Sequence, residues 1–281
     1  MRRNTGYECD GAYDNMKRLQ DKVAIVTGAG TQSKNLVGTG KAMAQLFARE
    51  GAMVVVADVG GEKAETTVAA IQAEEGTALA AVVDVAVESN CEAMVQAAVE
   101  TYGGVDVLVN NAGIRAHGMV TDFDEEIWNR SLDVNLKGAV MASKYAIPEM
   151  EKRGGGSVIH ISSVDGLRSG MSKNIPYAAA KGGLVAITRS MAVQHGRQQV
   201  RVNCIAPGLL HAPIVEHLSE EERDLRRRVA PLGTEGTAWD VAQAALFLAS
   251  DEARWVSGVV LPVDGGLLAA APMSMLRYLD E

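Results

Sequence analysis

Residues 23–50 decide the fold, and they read VAIVTGAGTQSKNLVGTGKAMAQLFARE. The stretch opens with an apolar, β-prone run and closes with a segment whose apolar residues recur every three or four positions, as in a helix. Two glycine pairs lie between, Gly28 with Gly30 and Gly38 with Gly40. Glycines at this point allow a tight turn and let a phosphate approach the N–H groups of the helix. The stretch predicts a strand, a phosphate-binding turn and a helix.

The spacing of the glycines alone does not identify the ligand. Seven residues separate the two pairs, so the usual G-x-G-x-x-G pattern is not met. A Walker A loop is excluded, because Asn35 stands where that loop needs Gly and Ala42 where it needs Ser or Thr. A glycine-rich loop without a ligand stays open as the alternative.

Strand and helix patterns go on alternating along the rest of the chain. The apolar runs are continuous, which is typical of strands buried on both faces of a parallel sheet. They cover residues 23–26, 53–57, 78–83, 105–109, 157–161, 200–205 and 258–263. Helical periods cover residues 39–50, 62–75, 88–102, 125–146, 177–195 and 239–248. The sequence therefore predicts a single α/β domain, a doubly wound Rossmann-type fold with a seven-stranded parallel sheet flanked by helices.

Two segments stand outside this alternation. Residues 1–20 are a polar N-terminal extension, which leaves 21–281 as the predicted dinucleotide-binding catalytic domain. Residues 209–233 interrupt the pattern and contain the charge run from Glu220 to Arg228. Two interpretations of this segment stay open, a solvated helix face and a lid over an active site.

Composition and cysteine usage exclude several classes of protein. The 281 residues include 27 Lys and Arg against 35 Asp and Glu, a net charge of -8, so no basic surface is expected to attract nucleic acid or anionic lipid. No apolar run approaches the ~18 residues of a membrane span. Cys9, Cys91 and Cys204 are far apart and odd in number, which favours free thiols. We expect a soluble, cytoplasmic protein without a metal site or a signal peptide.

Asp58 strengthens the case for a dinucleotide. It closes the second apolar run, 18 residues after Gly40. A carboxylate near this spacing accepts hydrogen bonds from the adenosine ribose. A helix cap is the alternative role for Asp58.

Five motifs then stand in order at the predicted strand ends and on the helix after the fifth strand. They are Thr27-Gly28 with Gly38-x-Gly40, Asn110-Asn111-Ala112-Gly113, Ser162-Ser163, Tyr177-x-x-x-Lys181 and Pro207-Gly208. With them, the chain resembles the short-chain dehydrogenase/reductase family over about residues 21–268. The resemblance implies catalysis by Asn135, Ser163, Tyr177 and Lys181, with Ser162 open as the alternative serine.

The chemistry of these residues fits that implication. Tyr177 and Lys181 are four residues apart and share one face of a helix. A phenol is a poor base at neutral pH, but a nearby ammonium and a positive nicotinamide ring favour its phenolate form. Tyr177 is therefore the expected general acid/base and Lys181 its electrostatic partner, while Ser163 orients the substrate oxygen. The resemblance adds a ribose contact for Lys181 and a water-holding role for Asn135.

The resemblance also implies the remaining cofactor contacts. Asp84 and Val85 should line the adenine pocket, and the three residues Asn111, Ala112 and Gly113 should lie along the cofactor ribose. Leu210 should approach the nicotinamide, and Pro207 and Gly208 should also contact the cofactor. Ala212 stands where the family often has Thr, so one cofactor-facing hydroxyl is absent.

The resulting functional prediction is an NAD-dependent oxidoreductase that interconverts a secondary alcohol and a ketone, as a homotetramer or a dimer. NAD is favoured over NADP because Asp58 would repel the extra phosphate, although Lys34 lies in a loop that could reach it. The alternatives are an NADPH-dependent carbonyl reductase and a catalytically silent dinucleotide sensor or scaffold. Arg115 could bind a substrate carboxylate or face solvent or another subunit, and His117, Asp165, Arg168 and Asn174 could add polarity to the pocket.

Overall fold

A computed structural model describes residues 17–30, 33, 35–169 and 173–279. Its strands are β1 (Val23–Thr27), β2 (Met53–Asp58), β3 (Thr77–Val82), β4 (Val107–Asn110), β5 (Gly156–Ile161), β6 (Val200–Pro207), β7 (Leu210–His211), β8 (Gly236–Thr237) and β9 (Val260–Val263). Its helices are α1 (Thr39–Arg49), α2 (Gly61–Gln72), α3 (Glu88–Tyr102), α4 (Glu125–Leu132), α5 (Gly138–Lys152), α6 (Ile175–His195), α7 (Glu220–Arg228), α8 (Ala238–Ala249) and α9 (Pro272–Met275).

The main sheet has seven parallel strands in the order β3-β2-β1-β4-β5-β6-β9. Each predicted apolar run contributes one of these strands, with its ends shifted by a few residues. The predicted doubly wound fold is therefore confirmed. A separate two-stranded pair, β7 with β8, stands beside it.

The strand order creates a crevice between β1 and β4. From β1 the chain builds outward to β3, then returns to β4 and builds outward in the other direction to β9. In such sheets the loops at the carboxyl ends of the two central strands separate, and ligands bind between them. The glycines after β1 and the Asn-Asn-Ala-Gly turn after β4 follow these two strands.

Helices cover both faces of the sheet. On one face α1, α2 and α8 pack over a buried cluster, and on the other α3 and α5 cover a second cluster. Every residue of β1 and β4 is buried, as predicted. Burial on both faces is wrong for β3, an edge strand that exposes Thr77 and Val82.

One predicted helix differs from the observed structure. The predicted segment 125–146 is α4 and α5 joined by a π-helical turn, Asp133–Lys137. A π-helical turn adds one residue without interrupting the helix, so the 3.6-residue apolar period of the sequence does not predict it. The helix also continues past Pro148 to Lys152, because Ile147 and Met150 are buried in the core.

The chain before β1 is part of the packing. Leu19, within the predicted extension, is fully buried, and Arg18 pairs with Glu252 at 2.6 Å. Cys91 and Cys204 are buried free thiols, whereas Cys9 and the rest of residues 1–16 lie outside the described residues. Among the helices of the described residues, none has the length and apolar character that a bilayer span requires.

Candidate active site

The turn after β1 is held open by contacts with the end of β4. Gly28 adopts a left-handed φ of 63°, and a Cβ on it would lie 2.8 Å from the Cα of Ala112. The Asn111 amide donates to the carbonyls of Thr27 and Gly28 at 2.9 and 3.0 Å and accepts from the Thr39 hydroxyl at 2.7 Å. Asn111, predicted to lie along the ribose, therefore also fixes the shape of the phosphate turn.

The N-terminus of α1 opens into this turn. Its N-cap is Gly38, which is extended (φ -80°, ψ 156°) and supplies no side-chain hydrogen bond to the first turn. Nothing lies within 4 Å of the position of a Cβ on Gly38. Uncapped N–H groups beside open space are the arrangement that binds a pyrophosphate.

The long phosphate loop reaches the segment predicted as a lid. Within it, the Asn35 amide donates to Glu216 at 3.1 Å, and the Ser33 hydroxyl accepts from the backbone of Asn35 and Leu36. Thr31, Gln32 and Lys34 lie outside the described residues. The predicted contact of this loop with pyrophosphate stays a prediction.

Asp58 ends β2 with its carboxylate already oriented. One oxygen accepts from the N–H of Gly30 and the other from the N–H of Gly60, both at 2.9 Å, and the residue is buried. Each oxygen keeps a lone pair for a ribose hydroxyl. The sequence argument missed Lys63, whose side chain lies beside this carboxylate: a Cβ on Gly30 would lie 2.7 Å from both Asp58 Cγ and Lys63 Cβ.

The loop after β3 supplies the next wall of the cleft. Val85 is buried, and the Asp84 carboxylate accepts from the N–H of Ala86 at 2.9 Å and pairs with Arg130 at 3.3 Å. These contacts fix the segment that the sequence assigns to the adenine pocket.

The catalytic candidates converge where β5 faces α6. Tyr177 lies close enough to Ser163 for the serine hydroxyl to lower the pKa of its phenol, and the Ser163 Oγ accepts from the N–H of Asp165 at 3.1 Å. Ser162, the alternative serine, donates its hydroxyl to the carbonyl of Lys181 at 2.8 Å and is buried. The geometry therefore favours Ser163 as the serine that can reach a substrate.

Lys181 lies beneath Tyr177. Its Nζ donates to the carbonyl of Ile161 at 2.8 Å, lies 5.5 Å from the centre of the Tyr177 ring, and is buried. Burial lowers the pKa of Lys181 to about 8. The ammonium is therefore still the main form at neutral pH.

Burial also governs Tyr177 in the protein without cofactor. It raises the pKa of the phenol, the Ser163 hydroxyl lowers it, and of two nearby charges Asp165 raises the pKa and Arg115 lowers it. The lowering expected from Lys181 is not among these effects. Further positive charge has to stabilise the phenolate, and a nicotinamide ring would bring it.

Asn135 lies in the π-helical turn, behind the cleft. Its amide donates to the carbonyls of Ile114 and Ser131, each at 3.0 Å, and accepts from the N–H of Ile114 at 3.1 Å. Its side chain therefore holds the turn after β4. The water-holding role that the resemblance implies stays a prediction and would have to use the backbone of this turn.

The segment 209–233 contains an exposed helix and also borders the cleft, and its role as a lid stays a prediction. Helix α7 has no buried residue, yet Arg226 on this helix and Val229 directly after it line the cleft. Glu235, just after the segment, accepts from Arg226 at 2.6 Å and from Arg223 at 2.9 Å. Burial alone would raise the pKa of Glu235, but these two arginines hold it below its usual value. This ion cluster fixes α7 against β7 and β8.

One cleft of about 620 Å³ collects these groups. All the predicted cofactor residues line it: Gly28, Gly30, Gly38, Gly40, Asp58, Asp84, Val85, Asn111, Ala112, Gly113, Tyr177, Lys181, Pro207, Gly208 and Leu210. An uncapped helix end, an oriented carboxylate and a buried ammonium along one cleft fit a dinucleotide with a nicotinamide. Within the described part of the chain, no three His, Cys, Asp or Glu side chains are grouped to hold a metal ion.

Two glycines of the turn provide a matched pair of variants. A Cβ on Gly40 would overlap the carbonyl of Gly28, whereas a Cβ on Gly38 meets nothing. We expect Gly40→Ala to lower the unfolding free energy by about 1–3 kcal/mol, and Gly38→Ala to leave thermal stability unchanged but weaken cofactor binding. Calorimetry without cofactor and titration with cofactor measure the two effects. Undiminished cofactor affinity in Gly38→Ala would contradict a pyrophosphate at this position.

Comparisons with known proteins agree with this geometry. A family model described as enoyl-(acyl carrier protein) reductase matches residues 34–268. The 3-oxoacyl-[acyl-carrier-protein] reductase FabG of Thermotoga maritima is 38% identical over 89% of this chain and 99% of its own length. The meso-2,3-butanediol dehydrogenase of Serratia marcescens is 36% identical over 90% of this chain and 97% of its own length. The crystal structure of a protein from Burkholderia xenovorans, described as a short-chain dehydrogenase/reductase, matches this fold with a TM-score of 0.86. The match covers 91% of this chain and 99% of that one, and the two sequences are 40% identical.

Proposed function

Because this chain belongs to the short-chain dehydrogenase/reductase family of oxidoreductases, we propose that it interconverts a secondary alcohol and a ketone with NAD(H) as cofactor. One observation carries the proposal. The hydroxyls of Tyr177 and Ser163, with the Lys181 ammonium 5.5 Å from the centre of the Tyr177 ring, lie in the same cleft as the glycine turn and Asp58.

In the oxidation direction, the C–H bond of the alcohol breaks and the hydrogen leaves with its electron pair. A nicotinamide cofactor held by the glycine turn, Asp58 and Lys181 would supply the acceptor for that hydride. The hydroxyl proton passes to the phenolate of Tyr177, so that the C–O bond becomes a carbonyl. Ser163 donates to the same oxygen and holds it in line. Lys181 stabilises the phenolate by its charge. Reduction runs through the same residues, with Tyr177 as the acid.

The activity is tested by following the absorbance of the reduced nicotinamide. The purified protein is offered secondary alcohols with NAD and ketones with NADH. Turnover is expected in both directions. Cofactor binding without turnover across a broad panel would contradict the proposal and favour a silent dinucleotide sensor or scaffold.

Asp58 supports NAD rather than NADP. The extra phosphate of NADP is attached to the ribose that this carboxylate is oriented to bind, and two charges ~4 Å apart repel by about 4 kcal/mol at an effective dielectric of ~20. Even a third of that energy is roughly tenfold in affinity. We expect the wild-type kcat/KM ratio to favour NAD and this preference to shrink about tenfold in Asp58→Asn.

Lys63 provides the matched control. It is an exposed lysine whose side chain begins beside Asp58, and an ammonium attracts a phosphate. Lys63→Met should therefore change the ratio in the opposite direction and enlarge the NAD preference. A wild-type preference for NADPH, lost in Lys63→Met, would overturn the assignment and favour the NADPH-dependent carbonyl reductase.

A further inference from the structure

Arg115 stands in the cleft on the side of the reacting groups. It follows the turn after β4 by two residues, is half-buried, and lines the same cleft as Tyr177 and Ser163. Its charge acts on Tyr177, whose pKa it lowers. The guanidinium is therefore close enough to Tyr177 for its charge to act on the phenol, in the cleft that both residues line.

The other arginines of the cleft all have partners. Arg130 pairs with Asp84, and Arg226 pairs with Glu235 and also donates to the carbonyl of Leu210. The remaining one, Arg168, donates to the carbonyls of Leu267 and Ala270.

Arg115 differs from these three. Over the described ranges, it makes no ion pair and no hydrogen bond to another residue. A half-buried guanidinium without an acceptor loses water contacts and gains nothing in return. Its five donors are thus available to a ligand.

The other residues that line the cleft indicate the chemical character of the rest of the ligand. Leu209, Ile214, Val215 and Leu267 line the cleft with apolar side chains. Asp165 is the acidic group that acts on Tyr177 here, and it has an interaction of its own. Among the described arginines of the cleft, Arg115 is therefore the one without a partner, and the same cleft has an aliphatic surface.

We propose that Arg115 binds a carboxylate of the substrate, so that the alcohols and ketones of this enzyme are hydroxy acids and oxo acids with an aliphatic body. The inference rests on the proposed function and narrows its substrate class. A planar guanidinium matches a carboxylate with two parallel hydrogen bonds. Such a pair holds the carboxylate end of the substrate in place and thereby positions its carbinol carbon relative to Tyr177.

The test compares each acid with its own methyl ester. The 2- and 3-hydroxybutyrates and the 2-, 3- and 4-hydroxypentanoates are assayed beside their methyl esters with wild type and Arg115→Met, which keeps a long side chain but removes the donors. We expect wild type to favour the acid in at least one pair, and the acid-to-ester ratio of kcat/KM to fall roughly 10- to 100-fold in Arg115→Met. Arg115→Lys should fall between the two.

A binding measurement separates recognition from turnover. Butyrate has the carboxylate but no hydroxyl, and calorimetric titration in the presence of NAD should detect its binding to wild type and a matching loss in Arg115→Met. Arg197→Met removes an exposed charge outside the cleft and should leave the acid-to-ester ratio unchanged.

The outcomes separate the two proposals. Equal losses on acid and ester in Arg115→Met, or a wild type that prefers every ester, would overturn the carboxylate assignment while turnover of alcohols still supports the proposed function. Absence of turnover on all acids, esters and neutral alcohols would instead refute the proposed function itself.

Discussion

Tyr177→Phe is expected to lower turnover at least about 100-fold, the range typical of losing a general acid/base. The variant removes a single oxygen, so the proton of the alcohol has no acceptor in the right place. The fold should persist, because Ser163 keeps its hydrogen bond from the N–H of Asp165. Cofactor affinity should change little. Steady-state kinetics and cofactor titration measure both quantities.

Tyr145→Phe is the matched control for this variant. Tyr145 lies on α5 outside the cleft, where its hydroxyl donates to Glu88 at 3.1 Å. Its loss should leave turnover unchanged. Near-normal turnover in Tyr177→Phe would refute the mechanism.

The pH profile gives an independent readout of Tyr177. Oxidation requires the phenolate, and burial raises the pKa of this phenol in the protein alone. The oxidation rate should therefore rise with pH toward a plateau in wild type, and the residual rate of Tyr177→Phe should not. A flat wild-type profile, with chemistry rate-limiting, would argue against Tyr177 as the base.

Lys181→Met is expected to lower turnover by a similar factor, about 100-fold, and to raise the pH at which the remaining activity appears. The variant removes the positive charge that stabilises the phenolate. Stability should respond differently. Since burial depresses the pKa of Lys181 to about 8, keeping it charged costs the folded protein about 3 kcal/mol, which outweighs the hydrogen bond to Ile161.

Lys181→Met should therefore unfold at the same temperature as wild type or higher, even though it is nearly inactive. Lys137→Met removes an exposed lysine that pairs with Asp133 on the surface. This variant should change neither the unfolding temperature nor turnover. If Lys181→Met lost stability and activity in parallel, the role of this lysine would be structural.

The sequence predicted the fold well because its signals are local and repeated. Each buried strand is a continuous apolar run, and a parallel sheet follows from their alternation with helical stripes. The convergence of Ser163, Tyr177 and Lys181 was also predicted, since all three residues belong to motifs in order along the chain.

What the sequence could not predict depends on contacts between distant residues. The Asn135 amide binds Ile114 and Ser131 because Asn135 lies in the π-helical turn, and the hydrophobic period of the sequence does not predict such a turn. Lys63 lies beside Asp58 only because α2 folds back along β2. The sequence does not show which arginines of the cleft have partners. Only the folded structure shows that Arg115, unlike the other three, has none among the described residues.

The position of β1 also affects how the protein is made. Its two neighbours in the sheet are β2, which follows soon after it in the chain, and β4, which begins at Val107. At ~5–20 residues per second, the ribosome takes on the order of ten seconds to extend the chain from one to the other. During that interval the apolar strand Val23–Thr27 can pair on one edge only, and an unpaired edge invites aggregation. The nascent chain therefore needs protection at this strand edge, whereas in the folded protein both edges of β1 are paired.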